Sequence, residues 1–600
     1  MAQDTAGKRY AVAHSVSHAP SLHTVVLLRL GGGLAAFLGA LICFFGTSWD
    51  IQWHALIGRD RTLIPPHEMM LGGIAIAGIA ALTVVITETI WVRRYPDIAQ
   101  QSTRFAGLFS GPLGAYFVGY AALNAAVAFP LDTYWHTLYG IDVTLWAPFH
   151  IMIISGMALM AFGAMYMLAS AAQLAARLNE RRAERIAQLG MIGAFAAALS
   201  LFTLLVAEAS APDRSVSLGF VSFSLFPVLT AFLLGSILVA AVYAIPRKWI
   251  ATSVVGVSLL LVLIVQLAVP PALTWLMQNE QLTYRAGHAN PPPVSLVAAS
   301  WPLLSLASAF LIDLCVQRAR QQGWSKTRLF TSIALAVLVG SVPLTIESPL
   351  SAQILASSLG IPGALLSLAL AGLGAVIGIA LGRRVGETTP TLERGREAII
   401  STLWLQRLLL VLGVVGLGVV LVDLGISIAA TFPGTTPARV DHVKAGPYPL
   451  AVSLYKNPAN AGYALAFAVA PTQRVDGSLT YHVESLPGHG VDATPVRATF
   501  NTDPNVRNGI QGAAEITVKG PWTLQVVADG PSGHGVASIP ITATALPPIP
   551  VWVGWTIGFV PFYALYLFFM IRLFGRRQRA LSDSKPGQVH DAVYRVSSVQ

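Results

Sequence analysis

Charge is what this 600-residue chain lacks most: Asp, Glu, Lys and Arg make up 11% of it, against 54% hydrophobic residues and a mean hydropathy of +0.64. Soluble domains carry about 25% charged residues. The deficit excludes a soluble enzyme, a disordered chain and a nucleic-acid binder, because so much apolar surface needs lipid to cover it. Cysteine is almost absent. Cys43 and Cys315 both sit inside apolar runs, too few for a disulfide framework or a zinc ribbon. No histidine falls in the interior of an apolar run, which excludes haem ligation of the cytochrome-oxidase kind. Walker loops, dinucleotide fingerprints, nucleophile elbows and Cys-x2-Cys-His haem sites are missing too, so neither haem nor nucleotide is expected. The N-terminus lacks a cleavable-signal pattern, its first apolar run being too long for a signal-peptide core.

What is present is a series of apolar runs. A membrane-spanning helix needs about 20 apolar residues. Twelve runs qualify, at 25–47, 68–92, 106–128, 150–174, 188–208, 221–245, 250–276, 294–316, 329–346, 352–381, 402–431 and 550–571. Among the short loops, one alternate set holds 17 Lys and Arg residues, the other only Arg59, Arg61, Arg214 and Arg285. By the positive-inside rule the first set is cytoplasmic. The net charge of +10 is therefore mostly a topology signal. A polytopic α-helical membrane protein with about twelve spans and both termini inside is expected. Residues 1–24 form a cytoplasmic segment, 25–174 two helical hairpins, 175–432 a further bundle, 550–571 the last span and 572–600 a cytoplasmic tail.

Residues 433–549 differ in composition. Period-two alternation marks Tyr448–Tyr455, Ala464–Val469, Leu479–Val483, Glu515–Val518, Thr523–Val527 and Val536–Thr542, with Gly, Pro, Asn and Asp between them. Six or seven short strands in this length read as an exported immunoglobulin-like β-sandwich.

Two loops repeat one another. Asp50, Trp53, His54, Leu56, Gly58, Asp60, Thr62 and Leu63 recur as Asp132, Trp135, His136, Leu138, Gly140, Asp142, Thr144 and Leu145, at an offset of 82. His67 recurs as His150 after one inserted residue; Met69 and Met152 follow two residues later, and Gly73 and Gly156 six later. Each copy links the two spans of a hairpin, and such parallel repeats are a common way to build polytopic proteins. Asp and His at i and i+4 share a helix face. The Pro-rich stretch before the second His suits the first turn of the returning helix. One carboxylate and two imidazoles thus converge near the outer membrane surface, a partial shell for Cu, Zn or Fe(II). Asp60 and Asp142 could orient the ligand histidines. The bland alternative is helix capping, with Trp53 and Trp135 in an interfacial aromatic belt.

The first copy resembles the metal-binding hairpin of the C subunit of the copper membrane monooxygenases, the particulate methane and ammonia monooxygenases. Asp50, Trp53, His54, Arg59, Asp60, Pro65 and His67 match its Asp-x3-His-x12-His pattern and accompanying residues. The resemblance covers about 20 residues firmly, on the order of the span length itself. It implies copper at Asp50, His54 and His67. The second copy has thirteen residues between its histidines and Ile141 in place of Arg59. The chain also exceeds that subunit in spans and carries its own exported domain.

Elsewhere, Glu88 and Asp313 near the cytoplasmic ends read as structural residues neutralised by nearby arginines, and Glu208 and Glu347 as hydrated outer residues. His288 reads as a loop residue. His442, His482, His489 and His534 read as surface histidines of a β-domain without Met or Cys. Three functions remain open: a copper-centred redox enzyme or subunit taking a small apolar substrate from the bilayer, a metal-handling or transport protein, and an assembly factor for a respiratory complex. Partners are the lipid bilayer and either further membrane subunits or a second copy of the chain. The expected location is a bacterial cytoplasmic membrane, with the Asp/His motifs and β-domain outside. Whether the triads make one shared site or two is open.

Overall fold

The computed structural model describes residues 20–58, 63–141, 144–210, 214–280, 294–346, 360–389 and 403–563. The helices are α1 (Leu22–Leu56), α2 (Pro65–Arg94), α3 (Leu113–Tyr139), α4 (Pro148–Arg177), α5 (Arg181–Ala207), α6 (Phe226–Ala244), α7 (Ile250–Glu280), α8 (Ser305–Gln322), α9 (Lys326–Ser341), α10 (Gly360–Thr388), α11 (Leu403–Ala429) and α12 (Val551–Gly558). Among the described residues nine of them, α1 to α7, α10 and α11, are long and apolar enough to cross a bilayer. The chain is a membrane-embedded helical protein with a β-domain.

Five expected runs differ. The run 106–128 is displaced, its first residues lying in a β-hairpin and the helix running from Leu113 to Tyr139. The first part of the run 352–381 lies outside the described residues, and its helix continues to Thr388. The run 294–316 is broken, Leu296–Ala299 being separated from α8 at Trp301-Pro302. Proline supplies no N–H and disfavours helix at the preceding residue. Leu303 N–H instead bonds the Leu344 carbonyl at 2.9 Å. α9 has only 16 residues. The run 550–571 begins as α12, and its part beyond residue 563 lies outside the described residues.

α4 is the hub, buried along nearly its whole length and packed on α1, α3 and α5, while α2 packs on α3. Lipid-like environments give little hydrophobic drive for helix association, so close backbone contact matters. Gly73 of α2 lies against Gly39 of α1: a Cβ there would meet the Gly39 carbonyl oxygen at 2.5 Å. A Cβ on Gly156 of α4 would meet Ala125 N of α3 at 2.9 Å. The recurring glycines six residues past His67 and His150 therefore let the helices of each hairpin touch. α10 carries Gly374, Gly378, Gly382 and Gly386 along one face against α6. A Cβ on Gly374 would lie 2.5 Å from the Val228 carbonyl and one on Gly378 2.5 Å from that of Phe232.

Glu88 is neutralised from inside the first span rather than by the loop arginines. Arg29, 1% exposed, binds it through Nε at 3.1 Å and Nη2 at 2.5 Å. The guanidinium also donates to Ser170 Oγ at 2.7 Å and the Gln101 carbonyl at 2.9 Å, and Ser102 Oγ donates to Glu88. This network ties α1, α2 and α4 together. Asp313 has a helix N-terminus as its partner instead of an arginine: its carboxylate accepts from Ala251 N at 3.3 Å and from Thr252 N at 2.8 Å. Glu208 pairs with Arg214 at 2.9 Å. Glu347 lies outside the described residues.

The β-domain holds ten strands: β1 (Arg439–Ala445), β2 (Tyr448–Leu454), β3 (Ala459–Asn460), β4 (Tyr463–Pro471), β5 (Thr480–Pro487), β6 (Val496–Arg497), β7 (Thr499–Thr502), β8 (Ile510–Ile516), β9 (Gly520–Gly530) and β10 (Gly533–Thr544). They form two five-stranded sheets, ordered β6-β5-β9-β10-β3 and β7-β8-β4-β2-β1. Burial alternates strictly along β2 and β10, as two sheets packed face to face require. The strand expected at Glu515–Val518 lies earlier, as β8, with Val518 in the turn before β9. Two hairpins too short to carry the domain pattern, Thr103–Phe105 with Phe109–Gly111 and Val216–Ser217 with Ser222–Phe223, lie between helices.

The domain rests on the ends of α1 and α3. Asp492 O accepts from Ile141 N at 3.2 Å, Thr494 Oγ1 donates to Gly58 O at 3.3 Å, and Lys519 N donates to Thr137 O at 3.1 Å. Tyr134 Oη donates to Pro547 O at 2.7 Å and accepts from Ile549 N at 2.9 Å, pinning the segment that returns to the membrane. Ile141 belongs to the sandwich core itself.

Candidate metal centre

α1 is 35 residues long, or about 52 Å at 1.5 Å per residue. That overshoots a hydrocarbon core of about 30 Å, and the overshoot carries Asp50 and His54 in its last two turns. Pro65 and Pro66 open α2, so His67 is its third residue. Pro148 opens α4 with His150 third, and His136 lies in the last turn of α3, which ends at Gly140 with φ 93°. The local geometry is the one the spacing predicts.

Asp50 Oδ1 lies 3.4 Å from His54 Nε2 and 3.1 Å from His67 Nε2. Asp132 Oδ2 lies 3.5 Å from His136 Nε2 and 3.3 Å from His150 Nε2. In each group one ligand atom per residue falls within 4.8 Å of the others, so both groups could hold a metal ion. Among the described residues no other group of three or more His, Cys, Asp or Glu does so.

The second group can be taken further. His136 Nδ1 faces the Gly140 carbonyl at 2.9 Å, and His150 Nδ1 faces the Thr144 carbonyl at 2.9 Å. A carbonyl only accepts, so each Nδ1 carries the proton. In the neutral rings both Nε2 atoms are then lone pairs. They face each other at 3.2 Å with the Asp132 carboxylate beside them. Asp132 Oδ1 is buried with no hydrogen-bond partner among the described residues. Three acceptors aimed at one point are mutually unfavourable without a cation, and a ring N–H tied to a carbonyl is how metal-binding histidines are usually oriented. The donor set therefore fits a metal. The acceptors facing the Nδ1 atoms of His136 and His150 are backbone carbonyls; Asp60 and Asp142, expected to orient the histidines, lie outside the described residues.

The two groups adjoin. The rings of His54 and His136 stack with centroids 6.2 Å apart, 8° from parallel. Asp50, His54, His67, Asp132 and His150 border a single cavity of about 120 Å³. Its remaining wall includes Thr47, Ile51, Leu145, Ile153 and Ile154. The methionine that lines it is Met70, whose sulfur accepts from Thr47 Oγ1 at 3.1 Å, and neither Met69 nor Met152 does. The packing of α2 on α3, with His67 edge-on to Phe129 at 5.6 Å, brings the hairpins side by side.

The tryptophans do not form an aromatic belt. Trp53, 1% exposed, packs among Leu273, Leu276 and Met277 of α7. Trp135 packs on Phe149 at 5.6 Å and Tyr139 at 4.5 Å. Each thus braces the helix end that bears its histidine. His534 pairs with Asp529 at 2.7 Å on the exposed surface, and His23 with Glu180 at 2.7 Å. His14, His18 and His288 lie outside the described residues. The contacts from Asp492, Thr494 and Lys519 onto the two hairpin ends carry no sequence signal, since no local pattern says which loop of a sandwich meets which helix. Compared with protein-family models, with curated proteins and with solved structures, the chain matches none.

Proposed function

We propose that the chain is a membrane metalloprotein holding two adjacent copper ions, one at Asp50, His54 and His67 and one at Asp132, His136 and His150, and that it acts in redox chemistry on a small apolar substrate. The observation that carries this reading is the shared cavity: Asp50, His54 and His67 of one group and Asp132 and His150 of the other border one space with an apolar wall. Oxygen and nitrogen donors alone suit Cu(II), Zn or Fe(II). Copper is preferred because Trp53, Arg59, Asp60 and Pro65 accompany the first triad in the same register as in the copper membrane monooxygenases it resembles. Bound copper would supply one-electron redox chemistry. The chain's own part is to hold six ligands in position, to fix the His136 and His150 tautomers through Gly140 and Thr144, and to offer Ile51, Leu145, Ile153 and Ile154 as an apolar wall. About 120 Å³ admits a molecule of a few heavy atoms, given about 30 Å³ for one water. In this reading the repeated hairpins face the outside of a bacterial cytoplasmic membrane, twelve spans place both termini inside, and the β-sandwich caps the centre.

The test is metal content with EPR on purified full-length protein. Two copper ions per chain are expected, falling to one when Asp50, His54 and His67 are replaced by Ala and to one when Asp132, His136 and His150 are. Protein that retains no copper, or keeps both ions in the two triple variants, overturns the assignment. Uptake of metal into proteoliposomes without substrate oxidation would favour a transport role for the same residues.

A further inference from the structure

A second cavity, of about 100 Å³, lies between the β-sandwich and the two hairpins. His67, Asp132 and His136 form its membrane side. Glu515, Tyr463 and Thr517 come from the sandwich, and Ser427 and Thr431 from the end of α11 and just beyond it. His67 and Asp132 also line the first cavity, so the two spaces share a wall made of candidate ligands.

The two cavities differ in chemistry. The wall of the first beyond its ligands is largely Ile and Leu, which suits an apolar molecule and offers a hydrated ion nothing. The second sets six hydroxyl residues and two carboxylates, Asp132 and Glu515, among apolar residues such as Leu63, Phe129 and Ile516, with no Lys or Arg in its lining. Such a cleft concentrates cations. It runs from exposed residues, Thr431 and Thr499, to Asp132 at 6% and His136 at 5% exposure. Glu515, 8% exposed, lines the same cleft. Its backbone is fixed in β8 opposite Ala464, and its carbonyl accepts from Ser485 Oγ at 2.7 Å, so the carboxylate is presented from a rigid strand.

Resting on the metal reading above, we infer that this second cavity is the loading vestibule of the metal centre, and that Glu515 is the carboxylate that first takes a copper ion from water and passes it to Asp132 and His136. The chemistry is ligand exchange only: water leaves the ion, Glu515 binds transiently, and the triad ligands replace it. The β-sandwich is then a working part of the centre as well as its cap.

The test uses full-length protein stripped with a chelator and mixed with Cu(II) alone, following the growth of the bound-copper EPR signal. Glu515→Gln should load about tenfold more slowly or worse, the lower end of electrostatic rate effects, and reach the wild-type copper content. Glu515→Asp should retain most of the rate, while Asp476→Asn, 98% exposed on the same domain, should change nothing. Thr431→Trp, which plugs the rim without altering charge, should also slow loading. Wild-type rates in both Glu515→Gln and Thr431→Trp overturn the proposal, as does a lowered final copper content in Glu515→Gln, which would make Glu515 a resident ligand. Wild-type protein that takes up no copper overturns the metal assignment itself, a separate outcome.

Discussion

Replacing Arg29 by Met should destabilise the helical bundle more than almost any other single change away from the candidate metal centre. The side chains of Arg29 and Glu88 are 1% and 0% exposed. Arg29→Met removes two charge-assisted bonds to Glu88 and those to Ser170 and Gln101, leaving Glu88 with Ser102. Breaking one partner of a buried pair costs about 3–5 kcal/mol, whereas replacing both by apolar residues is often neutral. The expected order of thermal midpoints in detergent is therefore wild type, near it Arg29→Met with Glu88→Leu, and well below them Arg29→Met and Glu88→Leu alone. Along α1, Arg29 and Asp50 are 21 residues apart, about 30 Å, so copper per folded chain should stay unchanged in all three variants. The reasoning is refuted if either single variant melts within about 1 kcal/mol of wild type, the scale of an exposed pair, or if the double variant falls by the sum of the singles.

Further outcomes follow from other contacts. Gly73→Leu should push α1 and α2 apart at the Gly39 carbonyl and lower copper content by one ion, because Asp50 and His67 sit on those two helices. Gly378→Leu should cost about 1–3 kcal/mol by overpacking, seen as a lower melting midpoint, with copper content intact since α6 and α10 hold no triad residue. Burial pushes Tyr481 up to about 12, and burial with the Asp423 carboxylate beside it pushes Tyr463 up to about 12. Because the folded pKa values are raised, their stabilisation is whole below the ordinary phenol value of 10.0 and is lost as pH climbs from there towards 12. Ultraviolet titration should show late-ionising tyrosines, with the Tyr463→Phe and Tyr481→Phe variants each removing one.

Much of the candidate centre is legible in short stretches of chain. Asp50 and His54 share a helix face by spacing alone, and Pro65-Pro66 announces the returning helix that carries His67. The β-domain is readable for the same reason: alternation along Tyr448–Leu454 and Gly533–Thr544 is a local consequence of burying one strand face. Local pattern fails where the partner is distant. Arg29 carries no local signal in the first span, because only the fold places it against Glu88. Trp53 reads as interfacial until α7 is seen to cover it. The break at Trp301-Pro302 was masked by the apolar composition around it.

What the sequence determined by itself is the class and the ligand inventory: a chain with 11% charged residues has to fold in lipid, and its two Asp/His/His sets follow from spacings within about twenty residues. What only the tertiary structure decided is that the two sets meet. His54 and His136 are separated by 82 residues, and their rings stand 6.2 Å apart because α2 packs on α3 and glycines let each hairpin close. Glu515 joins them from a domain more than 300 residues along the chain. Helix periodicity is a property of neighbouring residues and can be read in one dimension; contact between helices depends on which surfaces fit, and that is settled only when all of them are packed.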